Sequence, residues 1–301
     1  MGSRTAPGCI RGWAPESFFS EIHRKTASVK KCMFHTDAWI EMTHMGILEL
    51  MSLGKSFGQN VAVNALDMTI EEGEIRGLIG PNGSGKTTIF NLITGFLKPS
   101  KGRIIWRGND ITGSPPHAVA KLGLARTFQL TTLFRDMTVL QNVIMAHHLH
   151  LRASLWHQFL KSSECRQEEK EIEDMSLALL ERMGIATRKD EIAGELPHGY
   201  QVALGIANAL ASGPKILLLD EPVGGMNPVE TDETMQRIRS VRDQGITVFL
   251  VEHDMRAVVS TCDKITCINF GNKIAEGSPQ MVCSHPEVIE AYLGEEVTCS
   301  L

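Results

Sequence analysis

Gly80-Pro81-Asn82-Gly83-Ser84-Gly85-Lys86-Thr87 meets every fixed position of the phosphate-loop pattern G-x-x-x-x-G-K-[ST]. Just upstream, Glu74-Ile75-Arg76-Gly77-Leu78-Ile79 is short and mostly apolar and reads as a buried strand. Downstream, Thr88-Ile89-Phe90-Asn91-Leu92-Ile93-Thr94 reads as a helix that Gly95 ends. A strand, a glycine loop and a helix start together make an anion site, because backbone N–H groups converge there and the helix dipole adds partial positive charge. Gly80, Pro81, Asn82, Gly83, Ser84 and Gly85 are the candidate cradle, and Thr88 sits in the helix start. Lys86 supplies a point charge for the β- and γ-phosphates, and the Thr87 hydroxyl is placed to ligate Mg²⁺.

The bulk properties narrow the setting. The chain has 301 residues, 43% hydrophobic and 22% charged, which suits a globular protein of one or two domains. A net charge of −5 argues against a nucleic-acid partner. No apolar run approaches the ~18 residues of a membrane span. The densest, Ile216-Leu217-Leu218-Leu219, ends at Asp220-Glu221, so a membrane role is peripheral and needs partner chains. The seven cysteines are scattered and include no Cys-x-x-Cys pair, which points to reduced thiols, with Cys262 and Cys267 as packing residues. Residues 1–44 show no sustained period and no apolar signal core. They read as a disordered or mis-started leader, a targeting or regulatory arm being the alternative, and a patterned domain runs over 45–297.

Within that domain, Ile47 to Met51, Val61 to Ile70 and Arg103 to Trp106 read as strands, with a turn at 56–60 that exposes Phe57. Ser114-Pro115-Pro116 predicts a helix capped by Ser114. Leu124 to Phe128 reads as a strand, and Thr138 to Ile185 as a charged helical block, part of an insertion over about 136–210. Asn227-Pro228-Val229-Glu230 predicts a capped helix start. Ile246 to Val251 and Lys264 to Phe270 are further strands, with Gly271-Asn272 as a hairpin turn. Strands alternating with helices imply the α/β fold class, a core around a largely parallel sheet, and the charged block reads as an inserted helical subdomain.

A phosphate loop needs a second acidic element for the metal, and Lys215-Ile216-Leu217-Leu218-Leu219-Asp220-Glu221-Pro222 supplies it. Asp220 emerges at the carboxyl end of a strand buried on both faces, where open α/β sheets bind ligands, and suits holding Mg²⁺. Glu221, one residue on, suits a general base that orients the attacking water.

With these motifs the chain resembles the ATP-binding cassette (ABC) family over Ile47 to Glu296. The resemblance implies a phosphate-loop NTPase core of RecA-like type with an antiparallel β subdomain and an inserted helical subdomain, ATP as nucleotide, and further roles. Gln129 matches a glutamine that touches Mg²⁺ and water and senses the membrane partner. His253 matches a switch histidine on the γ-phosphate, and Phe57 an aromatic that stacks on adenine. Leu196-Pro197-His198-Gly199-Tyr200-Gln201 stands where the family favours Leu-Ser-Gly-Gly-Gln, and Gly199 is left to offer its amide to ATP held by a second cassette chain. Pro197 replaces the usual serine, and Val202, Ala203 and Asn208 replace the usual basic residues. His198 is read as a packing residue.

The insertion around residues 145–173 and the ending Glu290-Ala291-Tyr292-Leu293-Gly294-Glu295-Glu296 resemble the ATP-binding subunit of high-affinity branched-chain amino acid importers. That implies transmembrane permease subunits, an extracytoplasmic substrate-binding protein acting indirectly, and a peripheral place on the cytoplasmic face of the membrane. The second ATPase chain is a paralogue or another copy. His147, His148 and His150 lack the i,i+4 spacing of a helical metal pair and are read as solvated or partner-facing. A lipopolysaccharide-type exporter ATPase and a soluble cassette protein are the alternative readings.

Overall fold

The computed structural model describes residues 46–127, 133–150 and 163–292. Two sheets organise them. The first is antiparallel, in the order β2-β1-β4-β5, built from β1 (Leu48–Phe57), β2 (Asn60–Ile70), β4 (Lys101–Trp106) and β5 (Asn109–Asp110). The second, in the order β10-β9-β3-β8-β7-β6, contains β3 (Ile75–Ile79), β6 (Leu124–Thr127), β7 (Ile216–Asp220), β8 (Thr247–Val251), β9 (Lys264–Asn269) and β10 (Asn272–Gly277). Its strands pair in parallel except for the β9–β10 hairpin. The predicted α/β class, with a parallel core and an antiparallel β unit, is what the chain adopts.

The apolar runs explain the layering. Along β7, Ile216 and Leu218 enter the core shared with the antiparallel sheet, while Leu217 and Leu219 enter the core on the other face. In β8, Phe249 and Val251 take the first side and Val248 and Leu250 the second. Period-two alternation with both faces covered gives continuous apolar runs and central strands. Helix α1 (Lys86–Ile93) lies in the first core, its Phe90 ring 4.9 Å from that of Phe249. Each of these side chains contributes roughly 1.5–3 kcal/mol by leaving water.

The other helices are α2 (Pro116–Lys121), α3 (Val139–His150), α4 (Ser163–Arg182), α5 (His198–Leu210), α6 (Pro228–Arg242), α7 (Met255–Thr261), α8 (Pro279–Cys283) and α9 (Pro286–Ala291). The expected helical block is thus at least two helices. Three expectations shift. Pro115, not Ser114, stands at the N-cap of α2, without a side-chain cap bond: a residue before proline is driven to extended backbone, so Pro115 cannot join the helix and takes the position just ahead of it. The hairpin turns at Phe270-Gly271, not Gly271-Asn272. Both residues have φ > 0 (46° and 77°), as a two-residue type I′ turn requires. His147 is buried in α3 rather than solvated, and Phe128 lies outside the described residues.

Candidate functional site

Strand order fixes where the site forms. The chain leaves β3 for the far edge, at β6, then returns through β7 and β8 to lie beside β3, and the carboxyl ends of strands at such a reversal face an open crevice. The 80–88 loop leaves β3 there, Asp220 and Glu221 end β7, and His253 follows β8. The ends interlock, since Glu252 N donates to Leu78 O at 3.4 Å and Glu221 N to Val251 O at 2.9 Å.

The loop is shaped by its glycines. Gly80, Gly83 and Gly85 have φ of 155°, 79° and 108°. A Cβ at Gly85 would stand 2.4 Å from Ala62 O, and one at Gly80 2.1 Å from Ile268 O. The β9–β10 hairpin braces the loop from the side, Gly271 N donating to Ser84 O at 2.9 Å. Helix α1 follows with Gly85 as N-cap and no side-chain cap, so its first amides are left for another acceptor. Lys86, 6% exposed, donates from Nζ to Gly80 O at 2.6 Å and Pro81 O at 3.1 Å, inside its own loop. The Ser84 hydroxyl is buried with no hydrogen-bond partner among the described residues. Open amides, an ammonium resting on loop carbonyls and a buried hydroxyl with no partner among the described residues fit an anionic, phosphate-bearing ligand.

The acidic side of the crevice is more crowded than the sequence suggests. Asp220 Oδ2 accepts from Arg126 Nη2 at 2.7 Å, with both side chains largely buried. Arg126 Nη1 also donates to Asn91 Oδ1 of α1 at 2.7 Å, tying that helix to the end of β7. Glu221 takes φ = 48°, a left-handed conformation that costs a non-glycine residue about 1–2 kcal/mol. His253, 54% exposed, has Nδ1 4.0 Å from Glu221 Oε2 and 3.8 Å from Glu252 Oε2. Glu252 is fully buried. Desolvation pushes its carboxyl up to about 7, against the pull of the Val223 and His253 amides it accepts from.

The 196–201 segment opens α5. Pro197 is its N-cap, again without a side-chain cap bond, and Gly199 lies buried in the first turn, 3.9 Å from Glu230 as a Cβ would reach. His198 does more than pack: its Nε2 donates to Gly224 O at 3.2 Å, tying α5 to the loop after Glu221. Tyr200 lies under two guanidinium groups, Arg188 at 4.4 Å and Arg237 at 5.9 Å.

A family model for ABC transporters matches residues 63–224, just over half of the chain. The high-affinity branched-chain amino acid transport ATP-binding protein BraF of Pseudomonas aeruginosa is 41% identical over 250 residues, covering 83% of this chain and 98% of that protein. This chain belongs to the ATP-binding cassette transporter family. Its Escherichia coli relative LivG, also named a high-affinity branched-chain amino acid transport ATP-binding protein, is 40% identical over the same length. A second family model, of branched-chain amino acid ATP-binding cassette transporters, matches residues 272–298. The crystal structure of the ADP conformation of MJ1267, an ATP-binding cassette of an ABC transporter, matches with a TM-score of 0.73 at 31% identity, covering 84% of this chain and all of that one.

Within this cassette, then, the 80–88 loop, Asp220, Glu221 and His253 lie at one edge of the parallel sheet, at the carboxyl ends of β3, β7 and β8. Phe57 ends β1 in the antiparallel sheet and is 49% exposed. Gln129 lies outside the described residues, two positions beyond the end of β6. Sequence reasoning missed Arg126 and Glu252. A lone arginine in a strand and an acid directly after an apolar one were the available signals, and neither names its partner.

Proposed function

We propose that this cassette is the ATP-binding and hydrolysing subunit of an importer for branched-chain amino acids. The hydrolytic part rests on one observation, Glu221 and His253 4.0 Å apart at the strand ends beside the phosphate loop, and the importer part rests on the likeness to BraF and LivG. The backbone N–H groups of the loop between Gly80 and Thr88, Pro81 having none, and the Lys86 ammonium bind the phosphates, and Phe57 stacks on adenine. Thr87, Asp220 and Gln129 are the residues that hold Mg²⁺, which neutralises phosphate charge when bound. Asp220 keeps one carboxylate oxygen clear of Arg126 for that purpose. Glu221 orients the attacking water and accepts its proton, and His253 contacts the γ-phosphate.

The rest of the reading concerns partners. The cassette comprises residues 45–297 with its helical insertion over about 136–210. Two cassette chains pair head to tail, the second a paralogue or another copy, so that Gly199 of one faces nucleotide held by the other. Permease subunits dock in the surface groove lined by Thr94, Phe96, His117, Leu124 and Ala209. Arg126 forms part of that groove and holds Asp220, which gives motion there a direct route to the metal-binding carboxylate. Among the described residues no helix is long and apolar enough to cross a membrane. In the importer so proposed the chain is a peripheral subunit on the cytoplasmic face, with an extracytoplasmic binding protein delivering the amino acid to the permease.

Glu221→Gln tests the catalytic core. It keeps ATP affinity and lowers turnover roughly 10²- to 10⁴-fold, the range of a lost general base. Equilibrium nucleotide binding and phosphate release, measured on one preparation, separate the two effects. Turnover at the parent rate would reject the role given to Glu221. Purifying the native complex and identifying its membrane subunits tests the importer.

A further inference from the structure

The acid beside His253, Glu252, is buried with no arginine or lysine ion-pair partner among the described residues. Glu74, the other buried glutamate among the described residues, is paired with Arg76 at 2.9 Å. Glu252 is satisfied mainly by two backbone amides, Val223 N at 2.8 Å on Oε1 and His253 N at 3.2 Å on Oε2. Burying a carboxyl this way costs several kcal/mol before any return. A fold that needed one acceptor here could use a smaller neutral side chain. What a carboxyl adds is a second oxygen, and the two oxygens reach two different segments of the site.

Those segments are the ones whose geometry catalysis needs. The turn after β7 begins at Glu221 in its left-handed conformation and closes through Gly224 N donating to Glu221 O at 3.2 Å. Val223 is inside that turn, and without Glu252 its buried amide would lose this acceptor. On the other side, Glu252 fixes the His253 amide, and with it the start of the side chain that stands 4.0 Å from Glu221. The turn's outer edge, Gly224 O, accepts from His198 at the start of α5.

We propose that Glu252 is a positioning residue that locks the turn carrying Glu221 to the backbone of His253, and that the Gly224–His198 bond extends this lock to the α5 start. The segment meant for nucleotide on a second chain is thereby joined to the segment that hydrolyses nucleotide on its own chain. This rests on the hydrolytic reading above, and its test has an arm independent of hydrolysis.

The full chain is prepared as Glu252→Ala and Glu252→Gln. Glutamine keeps one oxygen for Val223 and gives up the acceptor for His253. Amide hydrogen exchange is followed at Val223 and His253, together with kcat and the affinity for Mg²⁺-ATP. Glu252→Ala is expected to speed exchange at both amides and to lower kcat about tenfold, as for a lost buried hydrogen bond, with nucleotide affinity within about twofold. Glu252→Gln is expected to speed exchange at His253 alone, with an intermediate kcat, and it carries the test if the alanine variant fails to fold. His198→Ala is expected to speed exchange at 223–224 and slow turnover less. Parental exchange at Val223 in Glu252→Ala, or parental kcat in that variant, overturns the proposal. If the parent chain itself releases no phosphate from ATP, the hydrolytic reading falls, and the exchange pattern alone decides whether Glu252 holds the two segments.

Discussion

Helices α1 and α5 both begin without a side-chain cap, and there the likeness stops. The start of α1 is finished within one chain: glycines with φ > 0 shape it, Lys86 brings a cation, and Gly271 and Arg126 brace it. The start of α5 has Pro197 where a hydroxyl is usual in the family it resembles, no cation in its first two turns, and the His198–Gly224 bond as its link to the crevice. Two other helices at the site show what capping looks like here. Asn227 accepts from Val229 N and Glu230 N at 3.0 Å each while Glu230 reaches back to the Asn227 amide, and Asp254 caps α7. Of these four, the capped pair serve the scaffold, and on the function proposed above the uncapped pair keep their amides for a ligand. Helices α2 and α9 also begin without a side-chain cap bond, so lack of a cap is not by itself the mark of a site. The difference between α1 and α5 teaches that one is complete within the chain, while the other, on the function proposed above, awaits what a second chain brings to it.

The largest effect should come from removing the brace on the α1 side. Arg126→Ala strands the buried Asp220 carboxylate and is expected to cost roughly 3 kcal/mol of stability, read by urea unfolding. A loss under about 1 kcal/mol would mean that the brace counts for no more than a surface pair. Next is pH. Below about 4.5 Glu252 is protonated in both folded and unfolded chains and contributes nothing. Between 4.5 and about 7 the unfolded chain has released the proton that the folded chain keeps, so stability falls as pH rises. Above 7 the loss is complete, about 3 kcal/mol. Unfolding at pH 5.5 and 8.5 should therefore show a steeper decline for the parent than for Glu252→Gln, and parallel declines would remove the desolvated carboxyl from the account.

Lys86→Ala sharpens the contrast directly. Losing a charged hydrogen-bond donor is worth about 2 kcal/mol, so the Kd for ATP should rise some tenfold to a hundredfold in a binding titration. An unchanged Kd would remove the advantage claimed for α1. The smallest effect is the reciprocal one. Pro197→Ser gives α5 the hydroxyl it lacks and should raise turnover of the paired chains by roughly fivefold, the worth of one hydrogen bond, while leaving the Kd unchanged. A shift in Kd without a shift in turnover would show that the two helix starts are not functionally distinct.

How much could be read from residue order follows from how local each cause is. The phosphate loop was legible because its glycines, lysine and threonine are contiguous, and the β7 and β8 strands because their apolar runs are continuous. The Asn227 cap was legible for the same reason. Glu252 was not, since its second partner, Val223, lies 29 residues away and meets it only when β7 and β8 pair. His147 lies on a helix whose buried side is set by the helices packed against it, so its own neighbours in sequence misdirect. At Pro115 two local rules competed, and the constraint of a following proline outweighed the capping preference of serine.

The hairpin turn at Phe270-Gly271 has a practical side. With its ring 82% exposed, Phe270 invites use as an attachment point for a fluorescent reporter or an affinity handle. The adjoining amide, however, holds a carbonyl of the nucleotide cradle, and a Cβ at Gly271 would stand 2.8 Å from Ala62 O. A dye placed there would report on ATP and disturb it through the same bond, so labelling chemistry is better directed to the far end of β10.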